Sequence, residues 1–522
     1  MKKLTLLIAL LLIVTISLVA CGQSTEQPSG SDAPDKTTGN TPGKPDDEKV
    51  LHISLATELQ TLNVLGQQNI VTNEVLSNIY DTLLILDQEA NISPNVAESW
   101  DWNEGENKYT FHIKKGIKFH DGSELKASDV KFSFDLIQGE FASFQSSLAN
   151  VLTKTEIVDD YTLDVYLKEP CALLLYYCCT DMRIFKKDAY DETNGYTEGI
   201  ISCGPYKLVK YDPVIGVELE AFDDYHGESK PAIKHVQFDI IPDPNTQVIA
   251  LQSGGLNISR DYPASAIKTI KDDPNLDIYA HKCGLVYFVQ FNLRGDTIEP
   301  LKNQKVRQAI NYALDKQAMI LIADEGVGEV ANSIANKNMF GYSEEIPYYE
   351  YNLDKAKELM KDAGYEDGFE ISTIYTRDGK DKKIAEIVLD NLTKIGIKTN
   401  VTLLENNAFI ENLRSGNFFV AVSHLNLNTD ADHTFLVLSK TGSIPFSGID
   451  DEYIEEQNKK QLVELDRDKR FKILNDTLVH VSEQAYYAPC YYPLKSYAHT
   501  ADVGFNGYDP FVGLQLKFLY WK

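Results

Sequence analysis

The sequence predicts an α/β protein, because helix and strand patterns alternate through its second half. Apolar residues at helical spacing run through 303–322 and through 382–395, whereas 369–375 and 397–404 have the composition of strands. This alternation is typical of a largely parallel sheet covered by helices. At 522 residues, the chain is long enough for two or three domains with a substantial apolar core.

The remaining elements are predicted from local signals. Alternating apolar residues indicate a strand, a polar residue before an apolar helical stripe indicates an N-cap, and glycine indicates a helix end. These signals predict a strand at 51–55, a helix at 70–85, a strand pair at 109–113 and 117–119, a helix from Ser128, a helix N-capped by Asp354 and ended by Gly364, and Gly396 as the end of the helix at 382–395.

The first residues have the layout of a secretory signal. A short basic start is followed by an uncharged apolar run over 4–19, shorter than the ~20 residues that a spanning helix needs. The run ends in the letters L-V-A-C-G, which resemble a lipobox whose cysteine is Cys21. We therefore predict a signal peptide at 1–20 and a lipid anchor on Cys21, at the extracytoplasmic face of a cell membrane. An uncleaved anchor, or a plain signal peptide with a chance cysteine, is the alternative.

Residues 21–49 are predicted to form a flexible tether between the lipid and the body. Beyond Cys21 this segment contains no aromatic or large aliphatic residue, so it cannot bury a core. The folded body is therefore expected to start near Val50.

Charge and cysteine usage exclude several classes of site. The formal net charge is −27, whereas binding of phosphate backbones needs clustered Lys and Arg. No nucleic-acid partner is therefore expected, and a body lying flat on anionic lipid is disfavoured. The six cysteines besides Cys21 are dispersed without paired C-x-x-C spacing, so a structural zinc site is not expected.

No enzyme active site is predicted. The sequence lacks the G-x-S-x-G, P-loop, H-E-x-x-H and dinucleotide-binding patterns. A pair of glycosidase carboxylates is compatible with so many acidic residues, but in an acidic chain such residues are read as solvated surface. We therefore expect a protein that performs no chemistry and holds no cofactor.

One polar segment holds candidate metal ligands. His424 and His433 flank it, and Asp430 and Asp432 lie inside it, so that nitrogen and oxygen donors suited to a transition metal come together. The alternative is an ordinary polar loop that follows a strand. The sequence leaves both interpretations open.

Five ordered segments carry a shared pattern. They read I-S-P-N-V-A-E-S-W at 92–100, Y-T-F-H-I-K-K-G-I-K-F-H-D-G at 109–122, C-G-P-Y-K-L at 203–208, F-N at 291–292 with V-R-Q-A-I-N-Y-A-L-D at 306–315, and D-K-A-K-E-L-M-K-D-A-G at 354–364 with G-F at 368–369. In this order they resemble the signature of the solute-binding proteins of peptide and nickel ABC importers, the family of the dipeptide- and oligopeptide-binding proteins. The resemblance covers about residues 50 to 520.

The resemblance implies a periplasmic-binding-protein-like fold of the cluster C type. Two α/β lobes close on the ligand like a hinged trap, and an additional domain is inserted into the first lobe. It implies lobe I at 50–91, 200–285 and 495–522, the inserted domain at 92–199, and lobe II at 286–494.

The resemblance also implies a set of ligand-binding residues. In peptide-binding members an aspartate in a G-W-x-x-D-like stretch binds the peptide ammonium group. In this chain Asn428 holds that position and Leu425 replaces the usual tryptophan, so either Asp430 or Asp432 supplies the charge after a loop shift or the ligand has no free ammonium there. The implied set is His424, Leu425, Asn428, Asp430, Asp432, Cys203 (where threonine is usual), Gly204, Phe291 and Asn292.

The function implied by the resemblance is capture and delivery of a small peptide. A lipid-anchored, monomeric receptor would bind the peptide between its lobes and dock on the membrane permease and ATPase subunits of an ABC importer. The alternatives are a receptor for nickel or a metal chelate that uses His424 and His433, a ligand-sensing receptor on the same fold, and a secreted hydrolase. Peptide length and side-chain preference do not follow from the sequence.

Overall fold

The computed structural model describes residues 48–66, 69–87, 90–190, 200–295, 297–427, 429–509 and 512–522. The predicted signal peptide, the predicted lipidation site Cys21, most of the predicted tether and the candidate ligand residue Asn428 lie outside the described residues. None of the helices in the described ranges has the length and apolar content that a membrane crossing requires.

The helices are distributed along the whole described body. In chain order they are α1 (Ile70–Leu76), α2 (Ala127–Gln138), α3 (Ser146–Val151), α4 (Leu174–Thr180), α5 (Pro244–Gln252), α6 (Ile267–Asp272), α7 (Glu299–Lys302), α8 (Gln304–Ala313), α9 (Lys316–Asp324), α10 (Leu353–Asp362), α11 (Lys380–Lys394), α12 (Asn406–Ser415), α13 (Phe435–Leu438), α14 (Glu452–Val463) and α15 (Arg467–Glu483).

The strands alternate with these helices, which confirms the predicted α/β class. They are β1 (Val50–Leu55), β2 (Leu84–Leu86), β3 (Ile92–Pro94), β4 (Ala97–Asn103), β5 (Lys108–Ile113), β6 (Leu152–Asp159), β7 (Thr162–Leu167), β8 (Tyr206–Asp212), β9 (Gly216–Ala221), β10 (His235–Ile240), β11 (Ile258–Ser259), β12 (Leu276–Lys282), β13 (Leu285–Phe291), β14 (Gly328–Val330), β15 (Phe369–Glu370), β16 (Ile374–Thr376), β17 (Ile397–Lys398), β18 (Val401–Leu403), β19 (Val420–Asn426), β20 (Tyr487–Thr500), β21 (Val503–Phe505) and β22 (Leu519–Trp521).

One large sheet connects the two halves of the body. Its main path is β18-β16-β19-β13-β20-β11-β1-β10-β9-β8, and β12 and β14 also pair with β20. The long strand β20 belongs to both halves, because residues 487–491 pair with β13 and residues 494–500 pair with β12. The chain crosses a second time between β12 and β13, at Cys283 and Gly284. The two crossings lie side by side.

A separate four-stranded sheet, β4-β5-β7-β6, lies between residues 97 and 167 and is entirely antiparallel. Its inner residues, such as Phe111 and Leu163, join the apolar cluster that also contains Ile53 and Val236 of the large sheet. The region predicted as an inserted domain therefore shares a continuous core with the first half. The second half has its own clusters, built on β13, α8 and α11 on one side and on α15 on the other.

The turn at residues 119–122 attaches the four-stranded region to the first half. The buried ring of His120 places Nε2 3.0 Å from the carbonyl oxygen of Gly204, and its backbone N–H donates to Ser202 at 2.9 Å. Burial lowers the pKa of His120 to about 4, so the imidazole is neutral at physiological pH. The F-H-D-G segment therefore has a structural role, because its hydrogen bonds attach the four-stranded region to the first half.

Three predicted elements differ from the structure. The helix predicted at 70–85 ends at Leu76, because the chain turns there and enters β2. The predicted strand at 117–119 forms no ladder, and β5 pairs instead with β4 and β7. The helix predicted at 303–322 breaks after Ala313, where Asp315 accepts a hydrogen bond from the Ala318 N–H and N-caps α9.

Smaller differences concern caps and strand lengths. The N-cap of α10 is Asn352, whose side chain accepts from the Lys355 N–H at 2.9 Å, so the prediction of Asp354 was wrong by two residues. Gly364 and Gly396 follow their helices with φ of 82° and 84°, as predicted. The predicted strands at 369–375 and 397–404 each split into two short strands. The sheet of the second half is mixed, because β16 pairs in parallel with β18 and β19 but β13 is antiparallel to its neighbours.

The crossing at Gly284 requires a residue without a side chain. A Cβ atom on Gly284 would overlap the carbonyl oxygen of Leu427, and the Gly284 carbonyl accepts the Leu427 N–H at 3.0 Å. Gly284→Ala is therefore expected to lower stability by about 1–3 kcal/mol, measured as a fall in melting temperature. Gly255→Ala is the matched control, because a Cβ there meets nothing closer than 3.7 Å. Equal melting temperatures of the two variants would contradict this account.

Candidate functional site

A cavity of about 770 Å³ lies where the chain crosses between the two halves. Its floor includes Cys283, Gly284 and Leu285 at one crossing and 493–495 at the other. The walls are formed by the first half, the region of α3 and α4, and the second half: Val64, Leu65, Ile70, Asn73, Glu74, Phe144, Gln145, Ser147, Leu148, Tyr177, Thr180, Asp181, Arg183, His281, Lys282, Lys380, His424, Asn426, Leu427, His433, Val512 and Gly513. All parts of the described body thus contribute to one site.

One wall of the cavity carries a buried cluster of one carboxylate and two cations. Glu74 of α1 forms ion pairs with Arg260 and with Lys495 of β20. Burial, together with the charge of Arg260, lowers the pKa of Lys495 to about 8. Near neutral pH the cluster therefore has an excess of positive charge, which favours an anionic group of a ligand beside it.

The opposite wall, from the second half, holds a network around His424. The Nδ1 atom of His424 lies 2.8 Å from Oδ1 of Asp381 and 3.0 Å from a guanidinium nitrogen of Arg377, and the same guanidinium nitrogen lies 3.4 Å from Nε2. Arg377 also donates to Asp381 at 2.8 Å. Nδ1 of His424 is therefore engaged within the protein, whereas Nε2 has only the longer contact.

The residues proposed to replace the ammonium-binding aspartate are turned into the second half. Asp430 forms a bidentate ion pair with Arg470, at 2.7 and 2.8 Å, and both side chains are less than a tenth exposed. Oδ1 of Asp430 also accepts the Asp432 N–H at 2.9 Å. Instead of a ligand ammonium, Asp430 thus binds a guanidinium of its own chain.

Asp432 is also engaged within the second half. Its Oδ1 accepts a hydrogen bond from Gln461, and burial together with the charge of Asp430 raises the pKa of Asp432 to about 6. Neither Asp430 nor Asp432 lines the cavity. The polar segment therefore reaches the cavity through His424, Asn426, Leu427 and His433, whereas its two aspartates support the segment from behind.

The two histidines considered as metal ligands both line the cavity. Burial lowers the pKa of His433 to about 4, so its ring is neutral at physiological pH. Within the described residues, no group of three or more His, Cys, Asp and Glu side chains is arranged to hold a metal ion. The guanidinium of Arg377 beside His424 also disfavours a cation there.

The other candidate ligand residues have structural contacts. Cys203 is fully buried, and Gly204 donates its N–H to the Ile79 carbonyl at 3.1 Å. Phe291 lies in the apolar core, and the amide of Asn292 donates to the carbonyls of Gly416 and Phe418. Leu425 lies on β19 and packs against a core cluster. None of these five residues lines the cavity.

The charged residues that do line the cavity carried little signal in the sequence. Glu74 sits in an apolar helix, and its partner Lys495 is 421 residues away along the chain. Asp181 and Arg183 follow a short apolar helix and belong to none of the recognised segments. Which distant residues form such a pair depends on how the helices and strands pack together. Spacing along the chain therefore does not reveal the pair.

The region of α4 contacts the second half directly. The Ala172 N–H donates to the Leu462 carbonyl at 2.8 Å, and a guanidinium nitrogen of Arg467 lies 2.9 Å from Oδ1 of Asn91. These contacts join the first half of the chain to the second half.

Comparison with known proteins gives consistent matches. A sequence model described as bacterial extracellular solute-binding proteins, family 5 Middle, matches residues 91–445. The oligopeptide-binding protein AppA of Bacillus subtilis is 28% identical over 441 residues, which cover 80% of this chain and 79% of that protein. Heme-binding protein A of Haemophilus influenzae is 26% identical, with 96% of this chain and 97% of that protein covered.

The structure of HbpA2 from Haemophilus parasuis superposes with a TM-score of 0.81 at 25% identity, covering 91% of this chain and 100% of that one. This likeness confirms the predicted α/β fold of two lobes that resembles the periplasmic binding proteins.

The pair formed by Asp430 and Arg470 provides a stability test. Arg470→Gln leaves the buried carboxylate of Asp430 without its partner and should lower the free energy of unfolding by about 3–5 kcal/mol, measured by urea denaturation. The control is Asp476→Asn, which breaks the exposed pair with Lys472 and should cost about 0.5 kcal/mol or less. A similar loss in both variants would contradict a supporting role for Asp430.

Proposed function

Since the chain belongs to the bacterial extracellular solute-binding proteins of family 5, we propose that it is the lipid-anchored receptor of an ABC import system and that its cargo is a short peptide. It binds the peptide between its lobes, performs no chemistry, and delivers it as a monomer to a membrane permease driven by an ATPase.

The cavity is the observation that carries this proposal. Its volume of about 770 Å³ falls within the roughly 300–1,000 Å³ of sites for small ligands. The wall with Glu74, Arg260 and Lys495 carries excess positive charge, whereas Asp181 brings a carboxylate to another wall. Opposite charges at separate places suit a zwitterionic ligand such as a peptide with free ends.

Names of relatives support the choice of a peptide. Curated relatives include an oligopeptide-binding protein, a dipeptide-binding protein and glutathione-binding proteins, besides a heme-binding protein. Among the candidate ligand residues, His424 has the best support in this chain, because its ring borders the cavity and is held by Asp381 and Arg377. A nickel or chelate ligand has weaker support, since the described residues contain no group of three or more metal-binding side chains and Arg377 lies beside His424.

We propose the domain boundaries in the same terms. Lobe I comprises 50–91, 200–285 and 495–522, the inserted domain 92–199, and lobe II 286–494. The four-stranded sheet falls inside the second of these units, and the two crossings of the chain fall within two residues of the borders of lobe II. These observations support the boundaries.

Peptides should stabilise the protein. Alanine peptides of two to six residues are expected to raise the melting temperature, by an amount that grows with the free peptide concentration, because the ligand binds only the folded state. Nickel chloride and heme at matched concentrations are the controls and should produce no such rise. If nickel or heme raises the melting temperature and no peptide does, the peptide proposal is contradicted. Mass spectrometry of ligand released from the purified protein identifies the natural cargo.

Lipidation is tested at Cys21. Cys21→Ser should abolish incorporation of a labelled fatty acid and should shift the protein from the membrane fraction to the medium or periplasm. Cys171→Ser is the matched control, because Cys171 is a buried cysteine of the folded body and its loss should leave the labelling intact. Labelling that persists in Cys21→Ser would exclude this anchor.

A further inference from the structure

Two of the described residues that line the cavity carry carboxylates, namely Glu74 and Asp181. Glu74 is already neutralised, because Arg260 and Lys495 both form ion pairs with it. Asp181 forms no ion pair with any described residue. Within the described lining, Asp181 is therefore the carboxylate that remains open to a ligand.

The local structure leaves the Asp181 carboxylate short of hydrogen-bond donors. Asp181 follows the last residue of α4, and its N–H donates to the Tyr177 carbonyl at 2.8 Å. The hydroxyl of Thr180 lies 3.2 Å from Oδ2 of Asp181 but also 3.2 Å from the Tyr176 carbonyl. A hydroxyl has one proton, so it cannot donate fully to both acceptors. Asp181 is partly buried, and a carboxylate can accept several hydrogen bonds, so its oxygens retain capacity for a ligand donor.

Burial also shifts the pKa of the Asp181 carboxyl group. It raises the pKa of Asp181 to about 6, although the guanidinium of Arg183 and the hydroxyl of Thr180 oppose the rise. At neutral pH the carboxylate is therefore mostly ionised, and it lacks a strong partner. An incoming cation would give this partly buried carboxylate a charged partner.

In peptide-binding relatives, an aspartate in this polar segment binds the ammonium group. In this chain, the two aspartates of the segment do not bring their charge to the cavity. Asp430 is held by Arg470, and Asp432 is held by Gln461, and neither side chain borders the cavity. An ammonium group that enters this cavity therefore meets its acceptor on a different wall, next to α4.

We infer that Asp181 binds a primary ammonium group of the ligand, so that the cargo is a peptide or similar amine with a free amino end. The inference rests on the proposed peptide-binding function and adds the residue that selects for the free end. Acceptance by an ionised carboxylate gives a charge-assisted bond, about twice as strong as a neutral one. Blocking the amino group removes both the charge and its donors.

The test combines a chemical change in the ligand with a substitution in the protein. Trialanine and N-acetyl-trialanine are titrated into wild type and Asp181→Asn by calorimetry. Acetylation should weaken binding to wild type roughly 10- to 100-fold. In Asp181→Asn, which keeps the shape of the side chain, free and acetylated peptide should bind with nearly equal affinity. Melting temperatures of both proteins are measured first to confirm that the variant is folded.

Two further variants keep the test decisive. Asp181→Glu retains a carboxylate and should retain part of the preference for the free amine, even if Asp181→Asn does not fold. Asp432→Asn changes a carboxylate that faces away from the cavity and should preserve the wild-type ratio. A wild-type ratio in folded Asp181→Asn, or loss of the ratio in Asp432→Asn alone, would overturn the assignment.

Failure of the proposed function gives a different result. In that case no alanine peptide of two to six residues binds wild type, whatever its end group, and the assignment of Asp181 falls with the peptide function. If peptides bind but acetylation has no effect on wild type, the function stands and the role of Asp181 is excluded.

Discussion

The backbone hydrogen bonds of β20 hold the two halves of this protein together. Residues 487–491 extend the sheet of the second half, and residues 494–500 extend that of the first. The adjacent chain crossing at Gly284 runs beside it, so two neighbouring backbone segments connect the halves within the large sheet. These segments form the floor of the cavity. The positions of its charged wall residues depend on how the crossings place the surrounding helices.

Local signals in the sequence predicted much of the fold. Gly364 and Gly396 end their helices because left-handed backbone there costs glycine little, and the alternation of helices and strands indicated the α/β class. The prediction failed where short-range preference competes with tertiary structure. The apolar run at 303–322 continues past Leu314, yet the capping side chain of Asp315 starts a new helix there. Periodicity alone does not detect such a break.

The candidate site was predicted less well, for a physical reason. The resemblance drew attention to Asp430 and Asp432. Asp430 is paired with Arg470, forty residues later in the chain, and Asp432 is hydrogen-bonded to Gln461. Sequence spacing shows that a carboxylate is present and does not show which cation neutralises it. His424 was found because it flanks a polar segment that holds several nitrogen and oxygen donors. Asp181 was not singled out in the sequence, since only the folded chain brings it to the wall of the cavity.

The overlap between the crossings and the cavity floor has a mechanical consequence. Cys283, Gly284 and Leu494 border the cavity and also lie at the places where the chain crosses between the halves. If the halves rotate about these crossings, a cargo bound there acts close to the axis, where a rotation of a few degrees moves nearby atoms very little. The same rotation sweeps the far rims of both lobes over a long arc. A small molecule can thereby change the outline of a much larger surface, which is the surface that a membrane partner would meet.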